Sequence, residues 1–299
     1  MKNIKRTVET AFLKLCNNPR SVCVALSGGA DSVCLLHILK ELSNDYNFKI
    51  SAVHVNHNIR GDEALRDADF CIDLCNKLNV PLKIADVSVL TDANKGESVE
   101  LAARRLRYEV FEQLEVQYIA TAHNADDSLE TFLINFCRGT GLKGLTGIPD
   151  ARGRFVRLLN ECSKSDILDY IESNNLEYVT DSTNLLSDYT RNKIRNNIIP
   201  LLKEISPELV AVSVRNLNLL KNDNDYMKNQ PDMLLKESFK APNLLRIEPI
   251  IAAHKALATR VLSEFTYRIT KRYPDNLHIN LMLDLLNEQL NSVELFGGF

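Results

Sequence analysis

Acidic and basic side chains recur in this sequence at spacings that suit phosphate chemistry. The stretch Ser27-Gly28-Gly29-Ala30-Asp31-Ser32 follows an apolar run (Val22, Val24, Ala25, Leu26) and precedes a helical pattern (Val33, Leu35, Leu36, Ile38, Leu39). Strand, tight turn and helix in that order predict a loop whose two glycines let backbone N–H groups approach a ligand closely. The turn empties onto a helix N-terminus, where free N–H groups and the dipole favour an anion. Ser27 and Ser32 add hydroxyl donors. The loop has neither the Gly-Lys-[Ser/Thr] of a Walker A sequence nor the spacing of G-x-G-x-x-G. Asp31 is its odd member. A carboxylate facing phosphates is repulsive unless a cation lies between them, and Mg²⁺ with oxygen ligands would remove the conflict. The plainer role for Asp31 is a helix cap.

Three more clusters follow. In Thr121–Thr131, His123 precedes Asp126 and Asp127 at the start of a helix. Adjacent carboxylates there suit Mg²⁺ or general-base work, and Asp126 is the expected helix cap. In Leu101–Tyr108, Arg104 and Arg107 lie three apart and share a helix face while Arg105 points elsewhere. Two guanidiniums near a triphosphate would neutralise it and stabilise a leaving pyrophosphate. In Tyr189–Pro200, Arg191 and Arg195 are co-facial, with Lys193, Asn192, Asn196 and Asn197 beside them. With Arg152, Arg154 and Arg157 this is the densest basic region, and Arg and Asn suit phosphates and base edges. For both arginine clusters the bland alternative is a solvated helix surface. A glycine-rich stretch, Gly139–Gly147, must turn tightly, approach something closely, or serve as a plain flexible loop.

The elements that must position these groups alternate. Strands are expected at the loop's own apolar run, at Lys49–Val55, Leu82–Val87, Tyr118–Ala122 and Arg154–Leu159. Helices are expected at 2–17, at about 33–42, and at Asp62–Leu78, Glu97–Glu115, Ser128–Cys137 and Ser163–Asn174. That alternation predicts βαβ units, an open parallel sheet with helices on both faces, and a ligand at the carboxyl ends of the strands. The polar clusters at Ser27–Ser32, His57–Arg60 and His123–Asp127 all fall there. After about Ser206 glycine is absent until Gly297 and the pattern turns helical (Glu208–Lys228, Pro249–Arg268, Asn276–Gln289). Two domains are expected, an α/β domain over 1–205 and a smaller all-helical one over 206–299, with Pro200–Pro207 as hinge.

Composition bounds the rest. Of 299 residues 45% are hydrophobic, enough for a core in each domain, and no run reaches the length of a membrane span. The seven cysteines lie in apolar runs with no C-x-x-C, which predicts reduced thiols and a cytoplasmic location. A net charge of −3 leaves nucleic-acid binding to a local basic surface.

The Ser27–Ser32 loop resembles the S-G-G-x-D-S loop of the PP-loop, N-type ATP pyrophosphatases, which split ATP between the α and β phosphates. From about Ser21 to Leu202 the chain resembles the tRNA(Ile)-lysidine synthetase family more specifically. It shares LAARRLRY, A-H-x-x-D-D-x-x-E-T at Ala122–Thr131, RGTGLKGLTGI, and DSTN followed by YTRNKIRNNIIP. The resemblance implies a Rossmann-type sheet and ATP-driven adenylation of the C2 oxygen of a wobble cytidine in an isoleucine tRNA. The amine of free L-lysine then attacks C2 and expels AMP. Carried over by position, Ser27, Gly28, Gly29, Ala30, Asp31 and Ser32 would hold ATP, and Asp31 and Asp126 Mg²⁺. Asp31, Arg104, Arg107, His123 and Asp127 would be catalytic, with Asp127 handling the lysine ammonium. Arg191, Asn192 and Arg195 would contact tRNA. The resemblance admits a homodimer and implies no membrane partner. Asn124 stands where the family has a second His, Ser128 where a Gln is common, and Leu158 where an R-P-L-L element has Pro. The sequence ends at VELFGGF, where longer members continue, which reads as a short form or a truncated chain. The rival expectations are a tRNA thiolase, for which paired cysteines are lacking, an amide-forming PP-loop ligase, for which no amidotransferase domain is present, and a non-catalytic nucleotide- or RNA-binding module, in which the acidic residues would decay.

Overall fold

The computed structural model describes residues 3–57, 62–94, 96–180, 189–241, 243–287, 292 and 294. The first elements are α1 (Ile4–Leu15), β1 (Ser21–Ala25), α2 (Ala30–Asp45), β2 (Lys49–Asn56), α3 (Asp62–Leu78), β3 (Leu82–Asp86), α4 (Val89–Asp92), α5 (Val99–Glu112) and β4 (Tyr118–Ala120). Next come α6 (Ala125–Arg138), α7 (Leu142–Leu145), β5 (Ala151–Arg152), β6 (Phe155–Val156) and α8 (Lys164–Ser173). Then α9 (Tyr189–Lys193) runs through a π-turn (Ile194–Ile198) into α10 (Ile199–Ile205), followed by α11 (Leu209–Ser238), β7 (Phe239–Ala241), β8 (Leu244–Leu245), α12 (Glu248–Ala252), α13 (Lys255–Thr270) and α14 (Asn276–Leu286).

The chain divides into two compact units, residues 1–218 and 219–299. In the first, six strands form one sheet in the order β3-β2-β1-β4-β6-β5. Every pairing is parallel except β5 with β6. The expected fifth strand is therefore a short hairpin whose outer arm runs antiparallel, and a single parallel bridge between Asn124 and Leu159 prolongs its inner arm. Alternating side chains of β1 divide between the two faces. Val22 and Val24 join the larger core with α1, α2, α3 and α8, and Cys23 joins the smaller one with Phe111, Ile119 and Phe155. Helix α2 is the centre of the large core. Val33, Leu35, Leu36, Ile38, Leu39 and Leu42 are all fully buried. Burial on both sides of the helix fixes its first turn, and so the loop that feeds it. Strand succession runs β1-β2-β3 to one side and β4-β6 to the other, so the order reverses between β1 and β4, where open α/β sheets bind ligands.

Pro200 lies within the first turn of α10, a position that suits proline, so the stretch expected as a hinge is largely helix. The second unit has a core of Leu235, Ile250, Ala258 and Val261 with Leu283 and Leu286 packed on it. Its described elements are helices and the β7–β8 hairpin, and the hairpin departs from the all-helical expectation.

Candidate active site

The loop after β1 is held from several sides. The Leu26 N–H donates to the Val53 carbonyl at 2.9 Å, and the Leu26 carbonyl lies 2.9 Å from Nδ1 of buried His54. Gly28 has φ +87°, and a Cβ there would lie 2.7 Å from Cγ2 of Val179. The Val179 N–H donates to the Gly28 carbonyl at 3.0 Å, which fixes that close approach. Ser32 Oγ donates to the Gly29 carbonyl at 2.9 Å and accepts from the Ser27 N–H at 3.2 Å. The Ser27 and Ser32 hydroxyls are 3.2 Å apart. These bonds tie the loop to itself, and buried Ser32 spends its proton on shaping it.

Asp31, expected to need a cation, has one within the chain: Lys164 Nζ donates to Asp31 Oδ1 at 2.7 Å. Lys164 opens α8, and its own N–H donates to Asp126 Oδ2 at 2.8 Å. Asp126 was expected to cap its own helix, but that task falls to its neighbours. Asn124 Oδ1 accepts from the Asp127 N–H at 3.0 Å and Asp127 Oδ2 accepts from the Asn124 N–H at 3.1 Å, a reciprocal capping box. Asn124 thus does cap work that an amide performs readily. Among the described residues no three His, Cys, Asp or Glu side chains gather as a metal site. Mg²⁺ is commonly held by one or two carboxylates plus substrate phosphates. Asp31 fits that pattern, because it lines the same cavity as Ser27 and Gly29. Asp126 lines a different cavity together with Lys164, so the structure does not bring the two expected metal ligands to one place.

Asp127 keeps Oδ1 for the cavity, where it meets Arg191 Nη2 at 2.8 Å and Arg195 Nη2 at 3.3 Å. Beneath them lies Glu130, a residue to which no role was given from the sequence. Its side chain is 1% exposed, and it accepts from Arg191 Nε at 2.6 Å and from Arg195 Nε at 2.5 Å and Nη2 at 3.1 Å. The π-turn carries Arg195 along with Arg191 onto α6. Arg191 and Arg195, read from the sequence as an open tRNA face, are paired with two carboxylates in the cavity wall. His123 stands opposite, its Nδ1 3.1 Å from Thr121 Oγ1. Burial, then Arg157, Arg191, Arg107 and Arg104, push its pKa down to about 3, which keeps the imidazole neutral.

On α5, Arg105 turns away to Glu97 and Glu109, each at 2.9 Å. Arg107 lines the cavity. Burial lowers its pKa, and none of the ion pairs among the described residues involves it. Exposed Arg104 lies over the Tyr108 ring at 5.3 Å. The cavity, of about 340 Å³, is lined by Ser27, Gly29, Asp31, Ser32, Arg107, Tyr108, Phe111, Thr121, His123, Asp127, Arg191, Asn192 and Arg195, among others. It opens between β1 and β4, at the reversal of strand order. A desolvated guanidinium that has no ion pair among the described residues, lining one cavity with a glycine loop at a helix N-terminus, is an arrangement that takes up a polyphosphate.

Other basic residues fare differently. Arg154 donates to the carbonyls of Phe111, Leu114 and Val116, and buried Arg157 donates to Pro149 O at 2.7 Å. They are structural ties, so the densest basic region of the sequence is not one basic surface. Cys16, Cys23, Cys34, Cys71 and Cys75 are buried thiols whose pKa burial raises, to about 12 for Cys16 and Cys71 and about 11 for Cys75. Such thiols are inert as nucleophiles. Asn58, Ile59, Arg60 and the DSTN stretch (181–184) lie outside the described residues.

Residues 1–202 match the family model for the PP-loop domain, and the chain belongs to that family. Its curated relatives carry a more particular name. It is 36% identical over 277 residues to a tRNA(Ile)-lysidine synthase of Clostridioides difficile (88% of this chain, 60% of the relative). It is 40% identical over 233 residues to the one from Bacteroides thetaiotaomicron (76% and 54%). The chain thus spans little more than half the length of these relatives. Among solved structures, a U34-tRNA thiolase of Methanococcus maripaludis with its [4Fe-4S] cluster is similar, with a TM-score of 0.59 at 21% identity, covering 74% of this chain and 78% of that one. At that identity the likeness concerns the fold. No helix among the described residues is long and apolar enough to cross a membrane.

Proposed function

We propose that the protein makes lysidine at the wobble cytidine of an isoleucine tRNA. The observation that carries the reading is the placement of Asp127, His123, Arg107 and the Ser27–Ser32 loop around one cavity. The names of the relatives agree with it. Ser27, Gly28, Gly29, Ala30 and Ser32 cradle the pyrophosphate end of ATP, and Asp31 with the substrate phosphates would hold Mg²⁺, which would supply charge neutralisation there. The C2 oxygen of the cytidine attacks the α-phosphorus. The bond to the bridging oxygen breaks and pyrophosphate leaves, its growing charge met by Arg107, with Arg104 of the same helix adding positive charge from over the Tyr108 ring. Neutral His123 lines the same wall without adding positive charge. Lysine enters as an ammonium ion, meets Asp127 Oδ1, and loses a proton to it. Its nitrogen attacks C2, the C2–O bond breaks and AMP departs. Arg191, Asn192 and Arg195 meet the tRNA at the cavity wall, where the target base must enter. A homodimer and a cytoplasmic setting belong to the same proposal.

The test is incubation with ATP, Mg²⁺, L-lysine and an isoleucine tRNA bearing a wobble cytidine, followed by digestion and mass analysis. Lysidine with stoichiometric AMP and pyrophosphate is expected, and Asp31→Asn abolishes pyrophosphate release with the fold intact. Pyrophosphate without lysidine, or lysidine from Asp31→Asn at the wild-type rate, overturns the reading.

A further inference from the structure

Lys164 has no role in that reaction, yet it holds a central place. We infer that Lys164 is a phosphate-binding residue of the nucleotide site, whose ammonium rests on Asp31 and takes up the β and γ phosphates of ATP. The inference rests on the reading of the Ser27–Ser32 loop as that site.

The geometry supports it at three points. An ammonium carries three donors, and Asp31 is the only acceptor of Lys164 Nζ among the described residues, at 2.7 Å. Donors therefore remain for a ligand that reaches Asp31, which lines the loop cavity, although Lys164 itself lines the neighbouring cavity with Asp126 and meets the loop only through that carboxylate. The root of the side chain is fixed. The Lys164 N–H is bound to Asp126, Ser163 caps α8 in a reciprocal box with Asp166, and the Ala125 N–H donates to the Cys162 carbonyl at 2.9 Å, so α6 and α8 start from one knot. Helix α8 also packs on α2, the helix that the loop feeds. Ile167 and Ile171 enter the same core, and Tyr170 Oη lies 2.8 Å from His37 Nδ1. Loop, α2 and α8 form one block, and the ammonium is delivered by that block to the anionic member of the loop.

Stability gives no rival reason for the pair. Its side chains are 42% and 30% exposed, and ion pairs so exposed add little. Charge gives a better one. Before a cation arrives with the nucleotide, Asp31 alone would repel the phosphates of its own loop, and with Lys164 beside it the pair is neutral and can still donate.

The test compares the dissociation constants of α,β-methylene-ATP and of AMP, each with Mg²⁺, for wild type, Lys164→Met, Lys164→Arg and the double variant Asp31→Asn/Lys164→Met. Lys164→Met is expected to weaken α,β-methylene-ATP by about tenfold or more, the loss of a charge-assisted contact, and to leave AMP unchanged, because AMP lacks the two outer phosphates. Lys164→Arg restores most of the affinity. The double variant stays weak, because neutralising Asp31 does not replace the missing donor. Far-UV circular dichroism checks the fold, and Lys164→Gln serves in the same way should the methionine variant unfold. Unchanged affinity in Lys164→Met, equal weakening of both nucleotides, or full recovery in the double variant each overturns the inference. A wild-type protein that binds neither nucleotide overturns the reading of the nucleotide site itself, and the inference with it.

Discussion

Glu130 is the Glu of the A-H-x-x-D-D-x-x-E-T element, its task is not evident from the sequence, and replacing it with Gln isolates what it does. Its carboxylate is 1% exposed and receives three hydrogen bonds from Arg191 and Arg195, which also share Asp127. Among the described residues two acids face two bases in this cluster. Glu130→Gln keeps the shape and removes one negative charge. Removing one partner of a fully buried pair costs about 3–5 kcal/mol. Here the arginines are 34% and 41% exposed, and Asp127 remains to them. Solvent and the second acid screen the loss to roughly half, about 2 kcal/mol. The measurement is a double-mutant cycle of Glu130→Gln with Arg195→Gln in urea, followed by far-UV circular dichroism because the chain has no tryptophan. A coupling energy of about 1–2 kcal/mol is expected, within the range for residues in one network. Turnover should fall as well, because the wall of the cavity is no longer pinned. A coupling below about 0.5 kcal/mol, the size seen for independent sites, would refute the claim that Glu130 organises the arginines.

Other predictions follow from single observations. Gly28→Ala places a Cβ at φ +87° and 2.7 Å from Val179; it should cost about 1–3 kcal/mol of stability and most of the ATP affinity, read by denaturation and nucleotide titration. Arg107→Met should weaken ATP binding at least tenfold without lowering the melting temperature, because it removes a desolvated charge that has no acid partner among the described residues; a large drop in melting temperature would show that Arg107 is structural. His123 has a pKa near 3 when folded and about 6.5 when unfolded. Between those values the unfolded chain binds more protons, so its contribution makes stability rise with pH across that window and level off above it. His123→Gln should therefore flatten the acid limb of a stability–pH curve, and an unchanged limb would show that the imidazole titrates normally.

What was legible in the sequence is what lies close together along it. Ser27–Ser32 declares a phosphate loop within six residues, and alternating patterns declare the sheet that presents it. The partners of Glu130 and Lys164 were not legible, since they lie 61 to 133 residues away and only the fold unites them. Asp126 and Asp127 show a different limit. Helix-cap preference cannot separate neighbours on a first turn, and the choice was made by α8, whose first N–H claims Asp126 and leaves Asp127 to the capping box. Arg154 and Arg157 looked like binding residues because charge density in sequence does not reveal that a guanidinium is spent on buried carbonyls.

The helix starts explain why these particular acids are tolerated beside a phosphate site. Helices α2, α6 and α8 begin close to one another, each with the positive end of its dipole there. Each start carries an acid, Asp31, Asp127 or Asp166, and Asp126 of α6 reaches across to the first N–H of α8. Lys164 returns the link to Asp31 of α2. The acids thus satisfy helix ends and cations that would otherwise stand bare, while Arg107 and the glycine loop stay available to an incoming anion. Reversing one link tests that logic. Asp126→Asn retains an acceptor for the Lys164 N–H, whereas Asp126→Ala leaves that N–H without one and should cost about 1 kcal/mol, the usual loss for a helix cap. If the two variants are equally stable, the helix starts are not coupled in this way, and the placement of Lys164 needs another cause.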